Sequence, residues 1–162
     1  MTKYAAAIVK EMGFSAQEVE TLREACQLHD LGKIGIHDYI LGKSDKLTEK
    51  EWEKIKLHSL RGAEILEPLT FLDGVIMLIR QHHERYDGKG YPDGLKGEQI
   101  KLGARIIAVA DAFDAIISER PYRKAYSKKY AISKLKENSG TQFDPQVVEA
   151  FLKVLKKQPG II

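Results

Sequence analysis

Cysteine is almost absent from this chain: Cys26 is the only one among 162 residues. No intrachain disulfide can form, and any metal site must be built from His, Asp and Glu. A lone thiol in an apolar helical setting is ordinarily a small core residue. Long apolar runs are missing as well. Nothing approaches the ~18 consecutive apolar residues of a membrane span, and the N-terminus carries no charged-then-apolar leader. Those two absences point to a cytoplasmic domain, or a cytoplasmic part of something larger, with no membrane contact of its own. A strong excess of either charge is lacking: 26 Lys and Arg face 23 Asp and Glu, and a formal net charge of +3 is too small to imply nucleic-acid binding. Period-two alternation, internal repeats and low-complexity linkers are also lacking, which leaves an all-α reading.

What is present is helical periodicity nearly throughout. The length suits one domain over residues 1–162 with a proper core. Residues 2–12 (Tyr4, Ile8, Val9, Met12) and 16–30 (Val19, Leu22, Ala25, Cys26, Leu28) carry apolar positions three and four apart. Ser15-Ala16-Gln17-Glu18 and Thr48-Glu49-Lys50-Glu51 read as capping boxes. The second should open a helix running to about Leu66, ahead of Pro68. A further helix over 71–84 leads into a glycine-rich loop at about 85–98. Residues 100–118 are apolar almost all round, the mark of a central buried helix. Ser127 caps a helix to about Glu137, and Asp144-Pro145 starts the last one. The expected fold is an all-α bundle.

Polar residues in apolar settings form a set. His29 and Asp30 close the second helix, His58 lies within the third, and His82 and His83 end the fourth. Asp111 and Asp114 fall in the most hydrophobic helix of the chain. An ionised carboxylate buried without a partner costs several kcal/mol, so these two demand a salt bridge, hydrogen bonds to helix ends, or a metal. Four histidines and two aspartates spread over four helices shift the balance to metal, since bundle cores commonly build such sites from facing helices. Adjacent residues on a helix point ~100° apart, so His29 with Asp30, and His82 with His83, can share one centre only where a helix is ending. Ligation by imidazole and carboxylate without thiolate suits iron, manganese or zinc better than calcium. The basic cluster Arg120, Arg123, Lys124, Lys128 and Lys129 reads, by itself, as a solvated face. His37 lies in a loop with no partner at helical spacing and is expected at the surface.

These residues carry a resemblance. His29-Asp30-Leu31-Gly32-Lys33, then His58 with Gly62-Ala63-Glu64-Ile65-Leu66, are followed by His82-His83-Glu84, Gly90-Tyr91-Pro92 and Gly94-Leu95, and then by Asp111-Ala112-Phe113-Asp114. In that order, from about residue 4 to 155, they resemble the HD-GYP family of the HD phosphohydrolase superfamily, bacterial phosphodiesterases of cyclic di-GMP. The resemblance implies an HD-domain helical bundle with two or three divalent metal ions, iron or manganese ahead of zinc. It implies His29, Asp30, His58, His82, His83 and Asp111 as ligands, with Asp30 bridging. Lys33 resembles the lysine that contacts the reacting phosphate, and Asp114 would support or contact the attacking water. Gly90, Tyr91 and Pro92 would shape the substrate site. Arg120-Pro121-Tyr122-Arg123-Lys124 resembles the segment holding substrate phosphates and guanine, which turns the basic cluster into an expected anion site. The implied reaction is in-line attack by a metal-activated hydroxide on a phosphodiester, giving linear pGpG, with a second cut to GMP left open.

The family pattern also places a metal-binding His in the first helix, a few residues before Tyr4. This chain starts Met1-Thr2-Lys3-Tyr4, with no His before His29. The expectation is a chain short at its N-terminus relative to that pattern and lacking one ligand. Two other functions follow as alternatives: a catalytically impaired module that senses cyclic di-GMP or docks a partner protein through the Gly-Tyr-Pro loop, and a hydrolase of another cyclic dinucleotide.

Overall fold

Both capping boxes form: Ser15 and Thr48 accept hydrogen bonds from the Glu18 and Glu51 backbone N–H groups, and each glutamate accepts in return from its cap residue's backbone. A computed structural model describes residues 1–43, 45–119 and 124–161. Its helices are α1 (Thr2–Glu11), α2 (Ala16–Leu28), α3 (Asp38–Leu41), α4 (Glu49–Lys56), α5 (His58–Leu66), α6 (Asp73–Gln81), α7 (Leu102–Ile117), α8 (Lys128–Glu137) and α9 (Pro145–Lys157). A 3-10 turn, Leu31–Gly35, follows α2. No strand occurs among the described residues, and none of the helices is long and apolar enough to cross a membrane.

Helix α7 is the axis of the bundle. Ala104, Ile106, Ile107, Val109, Ala110 and Phe113 are fully buried on it. Phe113 meets Tyr4 edge-on at 5.2 Å and Phe151 edge-on at 4.9 Å, an arrangement aromatic quadrupoles favour, and so locks α1 and α9 onto α7. Arg105 on α7 also pairs with Asp144, the buried N-cap of α9. Cys26 is a packed core residue whose thiol is pushed up to about 12 by burial, which makes it inert.

Three helices stop earlier than periodicity predicts, each at a histidine. Helix α2 ends at Leu28, leaving His29 and Asp30 beyond its end, and α6 ends at Gln81, before His82 and His83. The helix expected over 48–66 is broken at Leu57 into α4 and α5, so that His58 opens the second piece. The reason is local. Imidazole nitrogens of His29, His58 and His82 take the carbonyls of Cys26, Ile55 and Ile79, each three residues back. A side chain that claims such a carbonyl competes with the backbone ladder.

The 3-10 turn lies directly on α5 because Gly32 has no side chain. A Cβ there would fall 1.9 Å from the His58 carbonyl oxygen and 2.6 Å from the Gly62 nitrogen. This approach carries Asp30 to the His58 ring. Gly32→Ala should therefore force the turn off α5, at about the 1–3 kcal/mol typical of overpacking, or roughly 2–4 °C in Tm per kcal/mol for a chain of this size. Thermal unfolding by circular dichroism checks it; an unchanged Tm would show that the contact yields freely.

Candidate metal centre

The broken helix ends put four imidazoles in one place. Ring centroids lie 5.3 Å apart for His29 and His82, 5.3 Å for His58 and His82, 4.9 Å for His58 and His83, and 4.0 Å for His82 and His83. His58, His82 and His83 each offer a nitrogen within 4.8 Å of the other two. His58 and His82 are both about 1% exposed.

Tautomers follow from the backbone. A carbonyl only accepts, so Nδ1 of His29, His58 and His82 must donate, to Cys26 at 2.8 Å, Ile55 at 2.6 Å and Ile79 at 2.6 Å. In a neutral ring the lone pair then sits on Nε2. The Nε2 atoms of His58 and His82 face each other at 3.3 Å. Two lone pairs at that distance repel unless a cation lies between them. A proton is a poor candidate, because burial drives His82 well below its ordinary pKa and lowers His58 too. His83 is pushed down to about 3, by burial first and then by its neighbours His58, Lys33 and His29. Backbone-held Nδ1 with a free Nε2 is the usual preparation of imidazole for a metal, so the donor set fits a divalent ion.

Asp30 spans this cluster. Its Oδ2 is 3.6 Å from His29 Nε2 and its Oδ1 is 3.6 Å from His58 Nε2, one oxygen toward each ring. Lys33 donates to Oδ1 at 2.7 Å. Burial alone would raise the Asp30 carboxyl, but Lys33 and the flanking histidines outweigh it and hold the pKa below the usual value.

The glycine-rich loop closes one wall. The Tyr91 ring stacks on His83 at 4.9 Å, and its phenol is raised by burial, then by the charges of Asp111 and Asp30. The Tyr91–Pro92 bond is cis. The loop is tied down at many points: Tyr86 and Asp87 N–H donate to the Gln142 and Thr141 carbonyls, and Arg80 holds Asp93 with two hydrogen bonds. Gly90 is pressed against the chain that leads into it, since a Cβ there would lie 2.3 Å from the Arg85 nitrogen.

The other expected site residues lie on α7 and beyond it. Asp111 is half-buried on α7, and its field reaches Tyr91 and Cys26. Asp114 is half-buried as well, and its Oδ1 accepts from the Met1 ammonium at 2.8 Å. The expectation of two deeply buried carboxylates is corrected here: both lie on the side of α7 that is left partly open, not in the core. Lys124 is exposed, while Arg120, Tyr122 and Arg123 lie outside the described residues. His37 is exposed and stacks on Tyr39, as expected of a surface residue. Sequence reasoning missed the carbonyls that orient the rings, which leave no mark in side-chain patterns. It also missed Gln81, whose buried side-chain oxygen accepts from the Lys101 N–H at 2.8 Å and ties the end of α6 to the start of α7.

Comparison with known proteins agrees with this geometry. The HD domain family profile matches residues 1–147. The chain is 44% identical over 155 residues to the cyclic di-GMP phosphodiesterase response regulator RpfG of Xanthomonas campestris pv. campestris, covering 94% of this chain and 41% of that protein. It is 38% identical over 156 residues to the 3'3'-cGAMP-specific phosphodiesterase 3 of Vibrio cholerae, covering 96% of this chain and 34% of that one. The chain thus spans about two fifths or less of these relatives' length. Among solved structures, a cyclic GMP-AMP-specific phosphodiesterase of V. cholerae superposes with a TM-score of 0.77 at 23% identity, over 98% of this chain and 43% of that one, and shares the fold. The chain belongs to the HD domain family, and it carries the motif set of the HD-GYP branch of that family.

Proposed function

We propose that the chain is a metal-dependent phosphodiesterase that hydrolyses cyclic di-GMP to linear pGpG. The observation that carries this reading is the pair of Nε2 lone pairs facing each other across 3.3 Å between His58 and His82. Such a pair calls for a cation, and the family binds divalent metals. His29, Asp30, His58, His82, His83 and Asp111 would hold two or three ions, with Asp30 set to bridge because its two oxygens already face different rings. All-nitrogen-and-oxygen donors favour iron or manganese, with zinc the next choice. Ions held there would supply Lewis acidity and draw a nucleophile from water at neutral pH.

The chain's own residues do the rest. The three carbonyl-held imidazoles keep their Nε2 atoms aimed without reorganisation, which is what electrostatic preorganisation requires. Lys33, on Asp30 Oδ1, places a cation where charge grows on the phosphate oxygens. Tyr91 and Pro92 form the wall against which a folded dinucleotide would rest. On the motif resemblance, Arg120, Tyr122, Arg123 and Lys124 would contact its phosphates and base. The 38% identity to a 3'3'-cGAMP-specific enzyme supports a second reading, the same chemistry on a cyclic GMP-AMP substrate.

The test is hydrolysis of both cyclic dinucleotides by manganese- or iron-loaded protein, with metal content measured in parallel. His82→Ala and Asp30→Ala should each lower turnover by more than about 100-fold, the upper end of the effect of losing even an outer partner, and should lose metal. Survival of either variant refutes the ligand assignment. Metal-loaded protein that binds but cleaves neither substrate refutes the phosphodiesterase reading.

Acid should destabilise the metal-free chain. His83 titrates at about 3 when folded against an ordinary value of 6.5, so between those values the unfolded chain binds the extra proton and unfolding is favoured as pH falls. His58 and His82, also lowered, act in the same direction, while Glu84, raised by burial, opposes them. Melting curves in chelator at pH 7, 5 and 4 should show a steady fall in Tm; a flat or rising Tm contradicts neutral buried rings.

A further inference from the structure

Glu84 completes the His-His-Glu run but is not one of the expected metal ligands. It is 3% exposed. Its carboxylate accepts three consecutive backbone N–H groups of the glycine-rich loop: Asp93 at 2.7 Å and Gly94 at 3.1 Å on Oε1, and Leu95 at 3.1 Å on Oε2. The carboxylate is thereby turned to the loop amides, and Glu84 is not in the donor group formed by His58, His82 and His83 among the described residues. We infer that Glu84 is a positioning residue, which acts through the loop to set where Tyr91 meets the substrate.

The loop passes the site in two limbs, and both are anchored to residues 83–84. In the first, the Tyr91 N–H donates to the His83 carbonyl at 3.3 Å, while Gly90 lies against the backbone of Glu84 and Arg85. In the second, the Glu84 carboxylate gathers the Asp93–Leu95 amides. Between the anchors stands Tyr91, stacked on His83. The Arg80–Asp93 pair also holds the second limb, but both side chains are about one-third exposed, and pairs so wet contribute little. A buried carboxylate on three amides is the stronger tie, because charge-assisted bonds in a dry setting are roughly twice as strong as neutral ones.

The inference rests on the phosphodiesterase reading, and its test separates the two. In Glu84→Gln, one oxygen can still serve Asp93 and Gly94, but the amide NH2 must then face the Leu95 N–H, donor against donor. In Glu84→Ala all three ties go. On metal-loaded protein, KM for the cyclic dinucleotide it cleaves should rise about tenfold in Gln and further in Ala, within the range that small misplacements of positioning groups produce. kcat and metal content should change far less. Hydrogen exchange should lose protection at Asp93, Gly94 and Leu95 in the same graded order. In a Tyr91→Ala background, Glu84→Gln should add little to KM, since the two act in series. Unchanged KM in an active Glu84→Gln protein, or full additivity with Tyr91→Ala, overturns the inference alone. Wild-type protein that cleaves no cyclic dinucleotide overturns the phosphodiesterase reading and the inference with it. Should Glu84→Ala fail to fold, the Gln variant and its double mutant decide.

Discussion

The site depends on one repeated hydrogen bond, from imidazole Nδ1 to the carbonyl three residues earlier. His29, His58 and His82 each make it, and each stands where a helix ends or restarts. The bond has two consequences. It takes a carbonyl from the backbone ladder, which releases the chain from the helix at the point where neighbouring residues must turn toward a common centre. It also places the proton on Nδ1, which leaves Nε2 as an acceptor aimed inward. Geometry and protonation are thereby set by one contact.

The second constraint is closeness of backbone. Gly32 allows the 3-10 turn to lie on α5, and only from there can Asp30 put one oxygen toward His29 and the other toward His58. Gly90 does the same for the loop, which rests on the chain that carries His83 and Glu84. The loop is accordingly a fixed wall, held by Glu84, Arg80 and the 141–142 carbonyls, with Tyr91 as its inner surface. Helix α7 packs against α2 and α6, the two helices whose ends carry His29 and His82.

Much of this was legible in the sequence, and the reasons differ by residue. The helices and both capping boxes could be read because apolar spacing and Ser/Thr-to-Glu spacing are side-chain facts. The grouping of His29, Asp30, His58, His82 and His83 could be read because histidines at helix ends in apolar surroundings need a reason to be there. The early ends of α2 and α6 and the break at Leu57 could not, since periodicity continues through them and the competing acceptors are backbone carbonyls. The partly exposed setting of Asp111 and Asp114 was hidden because an apolar helix does not reveal which of its faces is left partly open to solvent. Glu84 was visible in the motif, but its partners are amides, which every sequence has.

The three carbonyl-held imidazoles are neutral Nδ1–H tautomers that leave Nε2 as the acceptor, suited to a divalent ion. Nitrogen-15 NMR of the histidine rings in metal-free protein at pH 7 tests this most directly. His29, His58 and His82 should appear as Nδ1–H tautomers, and adding a diamagnetic divalent ion, zinc, should move their Nε2 resonances while leaving Nδ1 protonated. Rings found as Nε2–H tautomers or as imidazolium, or unmoved by the ion, would contradict the account.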